Sequence, residues 1–252
     1  MERIAVIKVG GNELDDPTFV RDLCAAVARF SGPLVLVHGG GKEVSAALKI
    51  YDQPVRFVEG LRVTPPESMA ILEMVLCGGI NKRLVARLNE AGVRAIGLSG
   101  VDLGLVRCTP LRPDGSDLGR VGAVTQVDAA ALRLFVQQGW LPVLAPVSLG
   151  ESDFLSYNVN ADHVAQGVAA ALSAGGSAEL VFVSNVPGVI LDGEVVVELR
   201  PAQVEAAIDS GEISGGMIPK VRSALAALDA GAESVRITNL AGFATGGTRF
   251  AR

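Results

Sequence analysis

Cysteine is scarce in this 252-residue chain: Cys24, Cys77 and Cys108 are scattered, odd in number and free of any CxxC pair. That usage excludes a disulfide framework and fits reduced thiols in a cytosolic protein. Histidine is scarcer still, with only His38 and His163 available for proton transfer. Positive charge is not in excess, since the formal net charge is -5, and nothing in this balance points to a nucleic-acid partner. No long hydrophobic run exists. The longest uncharged stretch, 134–150, contains Gln137, Gln138, Pro142 and Pro146, and reads as a helix end, a turn and a buried strand instead of a membrane span. Residues 1–8 lack the apolar core and cleavage site of a signal peptide, so a soluble cytoplasmic protein without membrane association is expected. Familiar nucleotide motifs are missing too. Gly41-Lys42 is followed by Glu43, with no glycine five residues before Gly41, and no GxGxxG follows a strand.

What is present is apolar. Hydrophobic residues make up 49% of the chain, enough for an ordinary core of one large domain or two lobes. Runs rich in Val and Ile at 4–9, 34–37, 95–98, 143–146, 180–183 and 235–237 suit strands buried on both faces. Amphipathic segments at about 17–30, 41–50, 66–91, 128–138, 161–174, 201–209 and 219–230 alternate with them and predict helices. This alternation argues for an α/β fold with a largely parallel sheet. In segment 66–91, Leu72, Leu76, Ile80, Leu84 and Leu88 form one apolar stripe. Gly78 and Gly79 interrupt it, either for close packing on the sheet or for a contact between subunits. Residues 102–126 read as short strands joined at Asp114-Gly115, a hairpin of the kind that covers a substrate. The small-residue stretch 172–178 is read as a lobe boundary, giving lobes of 1–174 and 175–252, although a helix end capped by Gly175 would look the same.

Two glycine clusters follow the first two strands: Val6-Ile-Lys-Val-Gly-Gly11 and Val35-Leu-Val-His-Gly-Gly-Gly41. In an open α/β sheet, ligands bind beyond the carboxyl ends of the strands, where glycines let backbone N–H groups approach an anion. Lys8 lies inside an apolar strand, and such a lysine either reaches solvent at the strand end or faces a bound anion. Lys220, in Gly215-Gly-Met-Ile-Pro-Lys220, sits where the helix dipole disfavours a cation, a conflict that a bound anion would remove. Asp162, Asn158 and Asn160 fall in a polar run before helix 161–174, as capping and turn residues or as ligand contacts. Arg62, before segment 66–91, is either a surface residue or a bidentate carboxylate clamp.

Eight pieces in this order give a resemblance. They are Ile7-Lys-Val-Gly-Gly11, His38-Gly-Gly-Gly41, Gly60-Leu-Arg-Val-Thr64, Asn81-Lys82, Gly97-Leu-Ser-Gly100, Leu118-Gly-Arg-Val-Gly122, Asn158-Val-Asn-Ala-Asp162 and Gly215-Gly-Met-Ile-Pro-Lys220. Together they span almost the whole chain and resemble the amino-acid kinase family, nearest to its members that phosphorylate N-acetyl-L-glutamate in arginine biosynthesis. The resemblance implies a three-layer αβα sandwich with a mainly parallel central sheet. It implies an N-terminal lobe for the small-molecule substrate and dimerisation, and a C-terminal lobe for ATP, with Mg²⁺ as cofactor. Lys8 and Lys220 would stabilise the transferring phosphoryl group, and Asp162 would hold both lysines in place. Gly40, Gly41, Arg62 and Asn158 would bind the substrate. Gly10, Gly11, Ser184 and Asn185 would join the two lysines around ATP, and no residue is assigned as ligand of a resident metal.

The chemistry implied is consistent with the scarcity of histidine, because a side-chain carboxylate with an ordinary pKa of about 4.3 is already ionised at neutral pH. Asn185 departs from the pattern: many acetylglutamate-phosphorylating members carry Asp there. The Asn form resembles a sister group acting on carrier-protein-linked aminoadipate or glutamate, which stands as an alternative. A non-catalytic amino-acid- or nucleotide-binding regulator is a second. Arg107, Arg112 and Arg120 in segment 102–126 are balanced by Asp102, Asp114 and Asp117, leaving no basic surface for an acidic carrier. Lys8 follows only seven residues, with no room for the additional N-terminal helix of arginine-inhibited hexameric relatives. A homodimer insensitive to arginine is therefore expected.

Overall fold

The structure, a computed structural model, describes residues 2–251. Its spine is an eight-stranded sheet in the order Glu198–Leu199, Thr248–Phe250, Ser234–Thr238, Ala178–Val183, Ile4–Val9, Leu34–His38, Leu141–Ala145, Ala95–Ser99. All neighbours pair in parallel except Ser234–Thr238 with Thr248–Phe250. Strand Ile4–Val9 is central because its residues alternate between two apolar layers. Ile4 and Val6 enter one core with helix Ala161–Ala174, whereas Ala5, Ile7 and Val9 enter the other with helix Pro17–Arg29. Two cores on opposite faces of one sheet make the expected three layers. The first four strands of the sequence's sheet set lie on one side of the Ile4–Val9/Ala178–Val183 pairing, and strands from 178 onward lie on the other. Gly175 is the C-cap of helix Ala161–Ala174, and the chain re-enters the same sheet at Ala178.

Three local features differ from the sequence reading. Segment 66–91 is not one uniform helix: α-helices Pro66–Glu73 and Asn81–Glu90 flank a π-helical stretch, Met74–Ile80. The stripe from Leu72 to Leu88 is buried throughout. Gly78 and Gly79, however, are exposed, and among the described residues a methyl group added to Gly78 would meet nothing within 4 Å, so close packing on the sheet does not explain them. The 102–126 hairpin exists as Val106–Pro110 against Gly122–Val127, but it belongs to a four-stranded sheet. Val147–Gly150 and Ser156–Asn158 complete that sheet, so Asn158 stands on a strand instead of a turn. Pro146, which cannot donate to a ladder, separates Leu141–Ala145 in the large sheet from Val147–Gly150 in the small one. Near the C-terminus, buried Arg236 donates to the carbonyls of Gly242, Phe243 and Gly246 and pairs with Glu179. It satisfies the carbonyls of the irregular loop that joins strands Ser234–Thr238 and Thr248–Phe250.

His38 ends the second strand at full burial. Its Nδ1 lies 2.9 Å from the Gly39 carbonyl and its Nε2 3.2 Å from Asn81 Nδ2. Asn81 also donates to the Val143 carbonyl at 2.9 Å. The neutral tautomer protonated on Nδ1 satisfies both contacts, and burial lowers the imidazole pKa to about 4. The folded state therefore binds this proton less well than the unfolded chain, whose histidine has its ordinary value of 6.5. Above 6.5 both states are neutral, so stability is lost as pH falls from 6.5 to about 4, by about 3 kcal/mol at most. Urea midpoints should show that loss in the wild type and a smaller one in His38→Gln. Equal losses in both proteins would contradict the buried neutral imidazole.

Candidate active site

The strand order puts the two glycine clusters side by side, at the carboxyl ends of adjacent parallel strands. The Gly39 N–H donates to the Val9 carbonyl at 3.0 Å, joining the loops. A Cβ on Gly11 would stand 2.6 Å from the Gly40 nitrogen and 3.0 Å from the Gly41 nitrogen, so no larger residue fits without moving the loops apart. The π-helical stretch closes the other side: a Cβ on Gly40 would collide with Ile80 and Leu76.

Lys8 shares the face of Ile4 and Val6, and that face lies under the first turn of helix Ala161–Ala174. Asn160 caps this helix, accepting from the Asp162 N–H at 2.7 Å. The cap fixes Asp162 in the first turn, where its Oδ1 lies 2.8 Å from Lys8 Nζ with both side chains half-buried. Lys220 stands in the first turn of helix Met217–Asp229, which starts two residues before the predicted position. Its Nζ donates to Asn185 Oδ1 at 3.4 Å. Among the described residues Asp162 pairs with Lys8 and not with Lys220, so the implied bridge between the two lysines is half made.

Arg62 is 7% exposed. Its Nη2 donates to the Gly41 carbonyl at 2.7 Å and to Ser45 Oγ at 2.8 Å, and its guanidinium lies 4.6 Å from the Phe57 ring centroid. Among the described residues its Nη1 is buried without a partner, and burial lowers the guanidinium pKa. An orphaned buried donor of this kind is costly unless a ligand completes it. Asn158 donates to Thr64 Oγ1 at 3.0 Å. The segment Leu118-Gly-Arg-Val-Gly122 is laced to the same place: Thr64 N–H donates to Leu118 O at 2.9 Å and Asn158 N–H to Arg120 O at 2.9 Å. Gly119 has φ +71°, and a Cβ there would collide with the Thr64 carbonyl.

Two cavities meet here. One, of about 240 Å³, is lined by Gly40, Arg62, Leu72, Leu76, Asn158 and neighbours. The other, of about 330 Å³, is lined by Gly10, Glu13, Ser184, Pro219, Lys220, Ser223 and neighbours. Lys8, Gly11, Gly41 and Asp162 line both and form their common wall. Every residue of the first cavity precedes position 163, whereas the second draws Phe182 to Ile237 from the remainder of the chain. Asn185 is exposed, and among the described residues its side chain meets the site through Lys220. Sequence reasoning missed Ser45 and Phe57, which orient Arg62, and the Leu72/Leu76 wall, which the stripe identified only as core. His38 is buried and neutral, and therefore acts as a fixed strut and not as a proton acceptor.

The sequence and structure have clear relatives. The model of the amino acid kinase family matches residues 3–239. An acetylglutamate kinase from Chloroflexus aggregans is 64% identical over 250 residues, covering 99% of this chain and 97% of the relative. One from a Roseiflexus species is 51% identical, covering 96% and 91%. A solved structure from Streptococcus mutans superposes with a TM-score of 0.78 at 31% identity, covering 100% of this chain and 99% of the other. This chain belongs to the amino-acid kinase family.

Proposed function

We propose that this chain transfers the γ-phosphoryl group of ATP to the side-chain carboxylate of N-acetyl-L-glutamate, giving an acyl phosphate and ADP in arginine biosynthesis. The observation that carries this reading is the wall of Lys8, Gly11, Gly41 and Asp162 between two cavities of different chemistry. The smaller cavity offers Arg62 Nη1 to the α-carboxylate, Asn158 beside it, and Leu72 and Leu76 to apolar carbons. The larger offers Lys220, Ser184 and the glycine backbone to phosphates. Lobe 1–174 takes the amino acid, and lobe 175–252 takes most of the nucleotide.

The reaction needs no base. The ionised carboxylate oxygen attacks the γ-phosphorus, an O–P bond forms, the bond to the β,γ-bridging oxygen breaks and ADP leaves with its electron pair. The difficulty is bringing one anion to another. Lys8 sits on the shared wall and Lys220 on the nucleotide side, so their ammonium groups act on charge that shifts during transfer. Asp162 orients Lys8. Mg²⁺, when bound with ATP, neutralises phosphate oxygens; Asp162 and Glu13 are the acidic side chains lining that cavity among the described residues.

The free amino acid is the substrate favoured over a carrier-linked one. The cavity of about 240 Å³ is small, and Arg120 of the hairpin is engaged by Asp153 at 3.2 Å instead of being presented to a partner. Asn185 favours the carrier-linked alternative. Its neutral amide leaves the charge of Lys220 unpaired for phosphate, which either substrate requires. Three free cysteines and the absence of any helix long and apolar enough to cross a membrane, among the described residues, fit a cytoplasmic enzyme.

We propose a homodimer formed through the exposed face around Gly78 and Gly79. Met74 on the same π-helical stretch is 54% exposed, and apolar exposure next to small residues suits a close two-fold contact. Light scattering should give twice the 26.0 kDa chain mass, and Gly79→Glu should shift it to the monomer. A wild-type monomer, or a Gly79→Glu dimer, would refute this interface.

Lys8→Ala and Lys220→Ala should each lower kcat by about 10²–10³ while changing KM for N-acetyl-L-glutamate far less. Near-wild-type turnover at saturating ATP and Mg²⁺ would remove the role. Asp162→Asn should be impaired yet folded; loss of its circular dichroism signal would make Asp162 a structural residue instead. Trapping the acyl phosphate as hydroxamate, with free and carrier-linked substrates side by side, decides the substrate. A larger kcat/KM for the carrier-linked compound would overturn the assignment.

A further inference from the structure

The nucleotide-side cavity contains a carboxylate that the reaction above leaves without a task. Glu13 lines it together with Lys8, Gly10, Asp162 and Lys220. Of the neighbouring charged groups, Asp162 is paired with Lys8 at 2.8 Å, and Lys220 donates to the neutral Asn185 amide at 3.4 Å. Glu13 has no side-chain hydrogen bond and no ion pair among the described residues. Its carboxylate also occupies a defined place. It lies over Gly10, where a Cβ would collide with Oε2 and stand 3.2 Å from Cδ. The space that holds this carboxylate at the cavity wall exists because residue 10 is glycine.

An unpaired carboxylate facing a triphosphate repels it unless a cation lies between them. Mg²⁺ is a hard cation that takes oxygen ligands, typically one or two carboxylates with substrate phosphates and water. We propose that Glu13 holds the divalent cation that accompanies the triphosphate. The proposal rests on the reading of the second cavity as the nucleotide site. Asp162 is the other acid lining the cavity, and it is already paired with Lys8, whereas Glu13 has no ion pair among the described residues.

The test is calorimetric titration of the full chain with an imido-bridged ATP analogue, once with Mg²⁺ and once with a chelator. Wild type, Glu13→Gln and Glu13→Ala are compared, each checked by its melting temperature. The wild type should bind the analogue more tightly with Mg²⁺. In both variants that metal-dependent gain should shrink by about tenfold or more. Metal-free analogue should bind the variants as well as the wild type or better, because a repelling charge is gone. Equal weakening with and without metal would mark Glu13 as merely structural and overturn the proposal, as would an unchanged metal-dependent gain. Failure of the wild type to bind the analogue under either condition would instead overturn the nucleotide reading of the cavity.

Discussion

The Lys8–Asp162 ion pair joins the central strand to the first turn of helix Ala161–Ala174, and both cavities take their common wall from it. A lysine inside an apolar strand is tolerated because its ammonium emerges at the strand's carboxyl end, where an acid fixed by a helix cap meets it. Asn160 holds the cap, the cap holds Asp162, and Asp162 holds Lys8. The cap is local in the sequence, whereas the ion pair joins residues far apart in it. Together they aim a cation at the line along which two anionic substrates must meet.

The glycine loops solve the other half of that problem. Backbone N–H groups can approach phosphate only where side chains do not intervene, and Gly11 against Gly40 leaves no room for one. The π-helical stretch Met74–Ile80 presses Leu76 and Ile80 onto that contact from one face. Such stretches are frequent at functional sites, and here it shapes the apolar side of the amino-acid cavity while turning Gly78 and Gly79 outward. One element thus contributes to the core, the site and an exposed face.

Much of this was legible in the sequence where chemistry conflicts with local pattern. Lys8 within Val and Ile, and Lys220 in a helix's first turn, stood out because each needs an anion. The six main sheet strands and the principal helices followed from periodicity. What was not legible depends on contacts between distant residues. Arg62 finds Ser45, His38 finds Asn81, and Gly119 lies beneath Thr64 only after folding. The small sheet built from 106–110, 122–127, 147–150 and 156–158 depends on Pro146 ending one ladder and starting another, which no window of sequence displays. The pairing of Asp162 with one lysine, and of Lys220 with Asn185, likewise came from geometry. Glu13 gave no signal because a single acid in a first turn looks like an ordinary helix-dipole partner.

The central claim is that phosphoryl transfer crosses the wall formed by Lys8, Gly11, Gly41 and Asp162. A crystal structure with ADP, aluminium fluoride, Mg²⁺ and N-acetyl-L-glutamate tests it most directly. The account predicts a planar fluoride group between the Lys8 and Lys220 ammonium groups, the α-carboxylate on Arg62 and the nucleotide on the Ser184 side. A fluoride group away from that wall, or the two ligands in exchanged cavities, would contradict it.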